Sequence, residues 1–162
     1  MDIFDIGILK FWKALNTHGV DYIMVGGFAT NIHGYQRFTG DMDIWIDNTL
    51  QNRKHLRKAF KETGMGDLPR VETMQFVPGW TEFRLPNGYR LDILIDMVGL
   101  QDYSFHQCLS IATLATIENV TVPFLHINQL IANKKAVNRP KDQIDVIELE
   151  KIKALRKEMG LD

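Results

Sequence analysis

The sequence predicts an α/β fold, with helices packed on one face of a mixed β-sheet and a helical C-terminal tail. Three observations predict it. Short apolar, β-branched runs alternate with stretches whose apolar residues recur at helical spacing. Asn87-Gly88 lies between two alternating runs, which is the strongest short-range signal for a β-hairpin. From about residue 126 the pattern is helical, and Pro140 suits the first turn of the last helix.

Length and composition limit the possible classes of protein. The chain has 162 residues, of which 45% are hydrophobic, so it fits a single domain over 1–162 with the helical tail from about 126. A formal net charge of -1 provides no general basic field for long nucleic acid. Cys108 is the only cysteine, which excludes an internal disulfide and suits a reducing compartment. The sequence has no signal-peptide pattern and no apolar run of about 18 residues, so we expect a cytoplasmic protein without a membrane span.

The first part of the chain is predicted to alternate helices with strands. The first helix ends at His18-Gly19, and its apolar residues recur at helical spacing: Phe4, Ile8, Phe11, Trp12 and Leu15. A buried strand over 20–25 leads into Gly26-Gly27, and a short helix over 28–33 follows. A second strand covers 41–46, and Asn48 is expected to cap a helix over 50–62.

The second part of the chain is predicted to contain two hairpins and three helices. The runs over 81–85 and 89–95 pair around Asn87-Gly88, and a helix covers 104–109. A further hairpin over 115–125 turns at Glu118-Asn119. Two helices follow from residue 127, with a break at 138–140.

Acidic residues recur on one face of two predicted strands. Asp41 and Asp43 are two residues apart, so both side chains point to the same face, while the alternate residues of that strand are apolar. Asp92 occupies the equivalent polar face of the strand over 90–96. Asp96 shares that face but lies roughly 13 Å farther along, so only one of these two acids can join a compact cluster.

These acids are candidate metal ligands. Three clustered carboxylates repel one another, and without a cation at least one of them takes up a proton. Mg²⁺ or Mn²⁺ removes that conflict, because hard divalent ions prefer carboxylates together with substrate phosphates. We therefore expect Asp41, Asp43 and Asp92 to be both metal ligands and catalytic residues. The alternative for the first two is structural, with Asp41 capping a turn and Asp43 exposed.

Two glycines follow the first predicted strand. Gly26 and Gly27 let backbone N–H groups approach a phosphate at a helix N-terminus, although they also suit an ordinary strand-to-helix turn. Neither a Walker loop nor a dinucleotide-binding fingerprint occurs. Arg37 is a candidate phosphate ligand through its planar fork, and Thr39 is expected to fix the turn before the acidic strand.

Charged residues also surround the break between the last two helices. Lys134 and Lys135 lie near a helix end, where cations favour the dipole without any function. Acids at the start of the last helix are stabilising for the same reason, and this segment carries Arg139, Lys141, Asp142 and Asp145. Each of these residues has a structural explanation when it is taken alone.

Taken together, the motifs resemble a known family. The stretch GGFATNIHGYQRFTGDMDIWID, residues 26–47, looks like the active-site signature of the DNA polymerase β-like nucleotidyltransferase superfamily. Within it, the chain resembles small bacterial nucleotidyltransferase-like proteins related to abortive-infection toxins. Residues 90–94, which include Asp92, match the position of the third carboxylate. Residues 130–135 and 138–142, followed by Asp145, resemble the family's lysine helix and its Arg/Lys-Asp helix start.

The resemblance, which covers about 20–149, implies a nucleotidyltransferase fold and a reaction. The reaction is metal-dependent transfer of a nucleoside monophosphate from a nucleoside triphosphate to a hydroxyl on a protein, a tRNA or a small molecule. Asp41 and Asp43 hold metal, Asp92 is a third ligand or the general base, and Lys134 neutralises triphosphate charge. One position departs from the pattern: many active members have serine after the glycine pair, where this chain has Phe28.

Three functional hypotheses follow. The first is a nucleotidyltransferase, with a toxin held by an antitoxin-like partner as its variant. The second is a nucleotide-binding or partner-binding module of the same fold that has lost catalysis. The third is a nucleic-acid-binding adaptor that uses the basic helix residues Arg53, Lys54, Arg57, Lys58 and Lys61, a pattern equally typical of a solvated helix face.

Overall fold

The computed structural model of the protein describes residues 5–161, so Phe4 of the predicted first helix lies outside the described residues. The helices are α1 (Ile6–Thr17), α2 (Gly26–Ile32), α3 (Leu50–Glu62), α4 (Phe105–Ser110), α5 (Ile127–Val137) and α6 (Pro140–Glu158), with a 3₁₀ helix at Pro69–Glu72. The strands are β1 (Tyr22–Val25), β2 (Asp41–Ile46), β3 (Phe83–Arg84), β4 (Arg90–Leu94), β5 (Thr113–Ile117) and β6 (Val120–Phe124).

The described strands form one mixed sheet in the order β3-β4-β2-β1-β6-β5. β2 runs parallel to β4, and β1 runs parallel to β6. The remaining neighbours are antiparallel. The predicted mixed α/β fold is therefore confirmed, and the two acid-bearing strands are direct neighbours.

One face of the sheet is apolar and is covered by α1 and α3. Met24 lies opposite Ile44 in the β1–β2 pairing, and the indole of Trp12 in α1 donates to the Met24 sulfur at 3.2 Å. Phe60 of α3 packs on Phe83 of β3 with ring centroids 5.2 Å apart. Because alternate residues of a strand point to opposite faces, this packing leaves Asp41 and Asp43 on the other face.

Most predicted element boundaries agree with the structure, and two differ. The hairpins and α4 are confirmed, and Glu118 and Asn119 adopt the positive φ angles (48° and 67°) of a tight hairpin turn. α2 begins at Gly26, two residues earlier than expected. The predicted cap at Asn48 is wrong: the Thr49 hydroxyl accepts the Asn52 N–H, while Asn48 accepts from the Arg53 guanidinium.

The basic segment in α3 is partly structural. Arg53 is buried, lies over the Phe76 ring at 4.4 Å and donates to the carbonyl oxygens of Val71 and Met74. Arg57 is paired with two acids, Asp67 and Glu72. Lys54, Lys58 and Lys61 are exposed. Within the described residues, no helix combines the length and the apolar character that crossing a membrane requires.

We predict that Asn52→Ala lowers the free energy of unfolding by about 2–4 kcal/mol, because it leaves buried backbone groups without partners. The Asn52 side chain is buried and joins the residue before β1 to the residue after β2, accepting from Asp21 N–H at 2.7 Å and donating to the carbonyls of Asp21 and Asp47. Urea unfolding measures the effect. Gln51→Ala, at an exposed neighbour, should change stability by no more than about 0.5 kcal/mol.

Candidate active site

The strand register brings two of the predicted acids face to face. Asp43 of β2 lies opposite Asp92 of β4, and Asp41 lies opposite Arg90. Neighbouring strands are roughly 4.8 Å apart, so Asp43 and Asp92 share one face of the sheet at close range. Asp41 is two residues before Asp43 on that face and is half-exposed, with the Arg90 guanidinium 3.7 Å away. The structure thus groups Asp41, Asp43 and Asp92, as expected from strand alternation.

Because Gly26 and Gly27 have no side chains, they leave space for β2 and for the loop before it. A Cβ atom at Gly26 would collide with the Asp43 carboxylate, and one at Gly27 would collide with the Thr39 side chain. Gly26 also has φ +65°, which disfavours other residues. The Thr39 hydroxyl donates to the Asp41 carbonyl at 3.2 Å, which holds the start of β2. The Asp43 carboxylate therefore lies directly against the first turn of α2.

Burial and mutual repulsion perturb the acids. Burial and, after it, the charges of Asp92 and Asp41 together raise the pKa of Asp43 to about 6, whereas Lys141 and Lys134 oppose the shift. Burial also raises the pKa of Asp92, although a hydrogen bond from the Gly79 backbone N–H lowers it. The free protein therefore holds concentrated negative charge that a cation would stabilise.

A buried ion-pair network lies beside the acids. Asp145 is fully buried and accepts two hydrogen bonds from the Arg37 guanidinium, at 2.7 and 2.9 Å, and one from Lys134 Nζ at 2.7 Å. Asp142 is buried too, 3.6 Å from Lys134 Nζ and 2.6 Å from Arg139 Nε. We call Arg37, Lys134, Arg139, Asp142 and Asp145 the ion-pair network; its three cations and two anions leave a net charge of +1.

The network changes what the predicted phosphate ligands can do. Two guanidinium nitrogens of Arg37 bind Asp145, and the third donates to the Phe38 carbonyl at 3.1 Å. Lys134 is buried between the two acids. Lys134 still acts on Asp43 through its charge, because it lowers the pKa of Asp43. Lys141, an exposed residue of α6, exerts the same effect and has no carboxylate within 4.0 Å in the described chain.

Phe28 is accounted for by packing. Its ring is fully buried and makes edge contacts with Trp12 and Tyr89, at centroid distances of 6.3 and 6.0 Å. The side chain after the glycine pair thus belongs to the core. No hydroxyl is available at this position for contact with a phosphate, which leaves that task to backbone N–H groups and cations.

The acids fit a site completed by substrate rather than a closed protein cage. Within residues 5–161, the close set of metal-ligating atoms, all within 4.8 Å of one another, comprises Asp21, Asp47 and His106. Asp41, Asp43 and Asp92 are spread more widely than that. A wider carboxylate set suits Mg²⁺ or Mn²⁺, which retain open positions for phosphate oxygens. The raised pKa of Asp43, which reflects burial and neighbouring carboxylates that a cation would offset, supports this fit.

Sequence reasoning missed the partners that organise the site. The helix dipole alone explains Asp142 and Asp145 in the sequence, whereas the structure shows them as buried partners of three cations, from the loop before β2, from α5 and from the start of α6. The sequence signal for this network is a pair of acids three residues apart, Asp142 and Asp145, which follow Lys134 and Arg139 closely along the chain. The Gly79 contact to Asp92 had no sequence signal.

The chain shares its fold with solved nucleotidyltransferases. No family model and no curated protein sequence matches it. TM1012 of Thermotoga maritima, a proposed nucleotidyltransferase, superposes with a TM-score of 0.54 at 16% identity, over 94% of this chain and 90% of that one. The antibiotic-resistance factor ANT(2'')-Ia gives 0.55 at 16% identity, over 95% and 89%. A nucleotidyltransferase-like antigen of Paracoccidioides brasiliensis gives 0.55 at 17% identity, over 91% and 76%.

We predict that Asp43→Asn stabilises the metal-free protein by about 1–3 kcal/mol at pH 7.5. The folded-state pKa of about 6 lies above the unfolded value of about 3.9, so the penalty of the charged carboxylate is full above pH 6 and vanishes as the pH falls towards 4. The stabilisation by Asp43→Asn should therefore decrease as the pH falls from about 6 towards 4.

Urea unfolding with a chelator from pH 4 to 8 measures this gain. Asp96→Asn, at an exposed acid after β4, serves as the control and should change stability by no more than about 0.5 kcal/mol. A loss of about 0.5–2 kcal/mol in Asp43→Asn at pH 7.5 would instead mean that Asp43 is a structural cap or ion pair.

Proposed function

We propose that the protein is a metal-dependent nucleotidyltransferase, which moves a nucleoside monophosphate from a nucleoside triphosphate to a hydroxyl acceptor. One observation carries the proposal: Asp43 and Asp92 lie opposite each other on parallel strands, with Asp41 on the same face and cations of the ion-pair network alongside. The fold shared with nucleotidyltransferases supports it.

The proposed cofactor is Mg²⁺ or Mn²⁺, held by Asp41, Asp43 and Asp92. When bound, such an ion neutralises the phosphate charge and lowers the pKa of a coordinated hydroxyl. The chain's own contribution is to fix the three carboxylates. The β2–β4 register sets their spacing, and Gly26 presses on Asp43 from α2.

The proposed reaction forms one bond and breaks one. The acceptor oxygen attacks the α-phosphorus of the triphosphate, the bond from that phosphorus to the bridging oxygen breaks, and pyrophosphate leaves. Asp92 accepts the proton of the acceptor hydroxyl in this proposal, or acts as a third metal ligand. Its raised pKa suits a base, because a higher pKa makes the carboxylate a stronger proton acceptor.

The triphosphate is assigned to the side of the acids that faces the ion-pair network. Lys141 is exposed and electrostatically coupled to Asp43, so it is the cation most available to phosphate. The pKa of Arg139 is raised mainly by its hydrogen bond to Asp142 and also by the charge of Asp43, so Arg139 is coupled to Asp43 as well. Backbone N–H groups of the Gly26-Gly27 turn complete the proposed phosphate site. Arg37, Thr39 and Lys134 support the segments that surround it.

The acceptor is a protein, a tRNA or a small molecule with a free hydroxyl. The neighbour ANT(2'')-Ia is known in complex with adenylyl-2''-tobramycin, and a second structure of it superposes with a TM-score of 0.55 at 16% identity. A toxin-like role in the cytoplasm beside an antitoxin-like partner rests on the sequence resemblance alone. The alternative is a catalytically inactive nucleotide-binding or partner-binding module, which the apolar, buried Phe28 favours.

Activity is tested by incubating the protein with each labelled nucleoside triphosphate, Mg²⁺, and tRNA, lysate or small hydroxylated acceptors. We predict a labelled acceptor, and a loss of at least about 100-fold in the rate for Asp43→Asn and for Asp92→Asn, because each removes a charge that stabilises the reacting phosphate. Asp96→Asn, at an exposed acid just after β4, is the matched control and should retain the rate. Triphosphate binding without transfer to any acceptor would favour the inactive module.

We predict that Arg37→Ala weakens triphosphate binding by about 1–3 kcal/mol, the scale of a charge-assisted hydrogen bond. The loss arises because Asp145 is no longer neutralised by the guanidinium fork and the loop before β2 is released. Calorimetry on folded protein measures it. Arg37→Lys keeps the charge without the planar fork, so its affinity for triphosphate should lie between those of the unchanged protein and of Arg37→Ala. Unchanged affinity in Arg37→Ala would restrict Arg37 to a structural role.

A further inference from the structure

Two aromatic side chains stand almost fully in solvent beside the acids. Phe38 is 86% exposed and Trp80 is 87% exposed, although burying such rings would contribute more than burying almost any other side chain. The other tryptophans, Trp12 and Trp45, are 0% and 4% exposed. An aromatic ring held outside the core beside a proposed active site is available to stack on a ligand.

Trp80 is attached directly to the candidate site. The backbone N–H of the preceding residue, Gly79, donates to the Asp92 carboxylate. The turn that presents the indole is closed by Thr81: its hydroxyl accepts from Val77 N–H at 2.9 Å and donates to the Gln75 carbonyl at 3.3 Å. Trp80 N–H also donates to the Val77 carbonyl at 2.9 Å. The backbone that carries Trp80 is therefore held beside Asp92 by hydrogen bonds of its own loop.

The charges of the site give the triphosphate a direction. The ion-pair network and Lys141 lie on the side of Asp43 where α5, α6 and Arg37 meet, so the terminal phosphates belong there. Phe38 is on that side, since its carbonyl accepts from Arg37. The nucleoside end then extends away from these cations, past Asp92 and towards Trp80.

We infer that Trp80 is the platform on which the nucleobase of the triphosphate stacks. A planar indole face suits a base, and such stacking tolerates different bases because every base has a π-face. The inference rests on the proposed function, because it takes the phosphate site as given. It adds a residue that selects nucleotides over other polyphosphates.

The test compares a nucleoside triphosphate with inorganic tripolyphosphate, which has the phosphates and no base. Because Trp80 is the exposed tryptophan, acrylamide quenching of fluorescence reports on it selectively. We expect Mg²⁺ and triphosphate to protect Trp80 from acrylamide, whereas Mg²⁺ and tripolyphosphate do not. Trp80→Ala should weaken nucleotide binding by about 5- to 100-fold and tripolyphosphate binding by less than about 2-fold.

Two further variants make the outcome decisive. Trp80→Phe keeps a stacking face and should restore most of the affinity, and Phe38→Ala is the matched control at an equally exposed ring. If tripolyphosphate binds but the nucleotide gains nothing from Trp80, or the loss appears in Phe38→Ala instead, the stacking assignment is wrong and the proposed function stands. If neither ligand binds with Mg²⁺, the proposed phosphate site fails, and the inference fails with it.

Discussion

The register of β2 on β4 is the constraint on which the candidate site depends. It places Asp43 opposite Asp92 on one face of the sheet, while the other face of the sheet packs under α1 and α3. A one-residue slip would exchange these faces and put the acids into the core. The apolar packing therefore fixes the position of the carboxylates. Burial and mutual repulsion destabilise their charged forms, as the raised pKa of Asp43 shows.

The ion-pair network balances that negative charge and attaches the helical tail. Asp145 is fully buried and holds Arg37 from the loop before β2 and Lys134 from α5. A buried charge without a partner is strongly destabilising, so the three segments are forced to meet at one point. The same arrangement sets a net positive charge beside three acids. In the proposed function a phosphate chain lies between them, with a divalent ion on the acid side.

The sequence predicted the parts of this arrangement that follow from local periodicity. Alternation in β2 and β4 was enough to place Asp41, Asp43 and Asp92 on one face, and Asn87-Gly88 was enough to pair β3 with β4. The pairing of Arg37 with Asp145 spans 108 residues, and no local pattern reports such a contact. The cap of α3 was assigned to Asn48 instead of Thr49 because adjacent polar residues satisfy the same preference. The Trp80 loop carries no periodicity at all.

The most direct measurement of the central claim is anomalous diffraction from crystals grown with Mn²⁺ and a non-hydrolysable nucleoside triphosphate. The account predicts a manganese peak between the carboxylates of Asp41, Asp43 and Asp92, in contact with phosphate oxygens, with the terminal phosphates towards Lys141. Manganese bound only by Asp21, Asp47 and His106, with no ion or phosphate between Asp43 and Asp92, would contradict it.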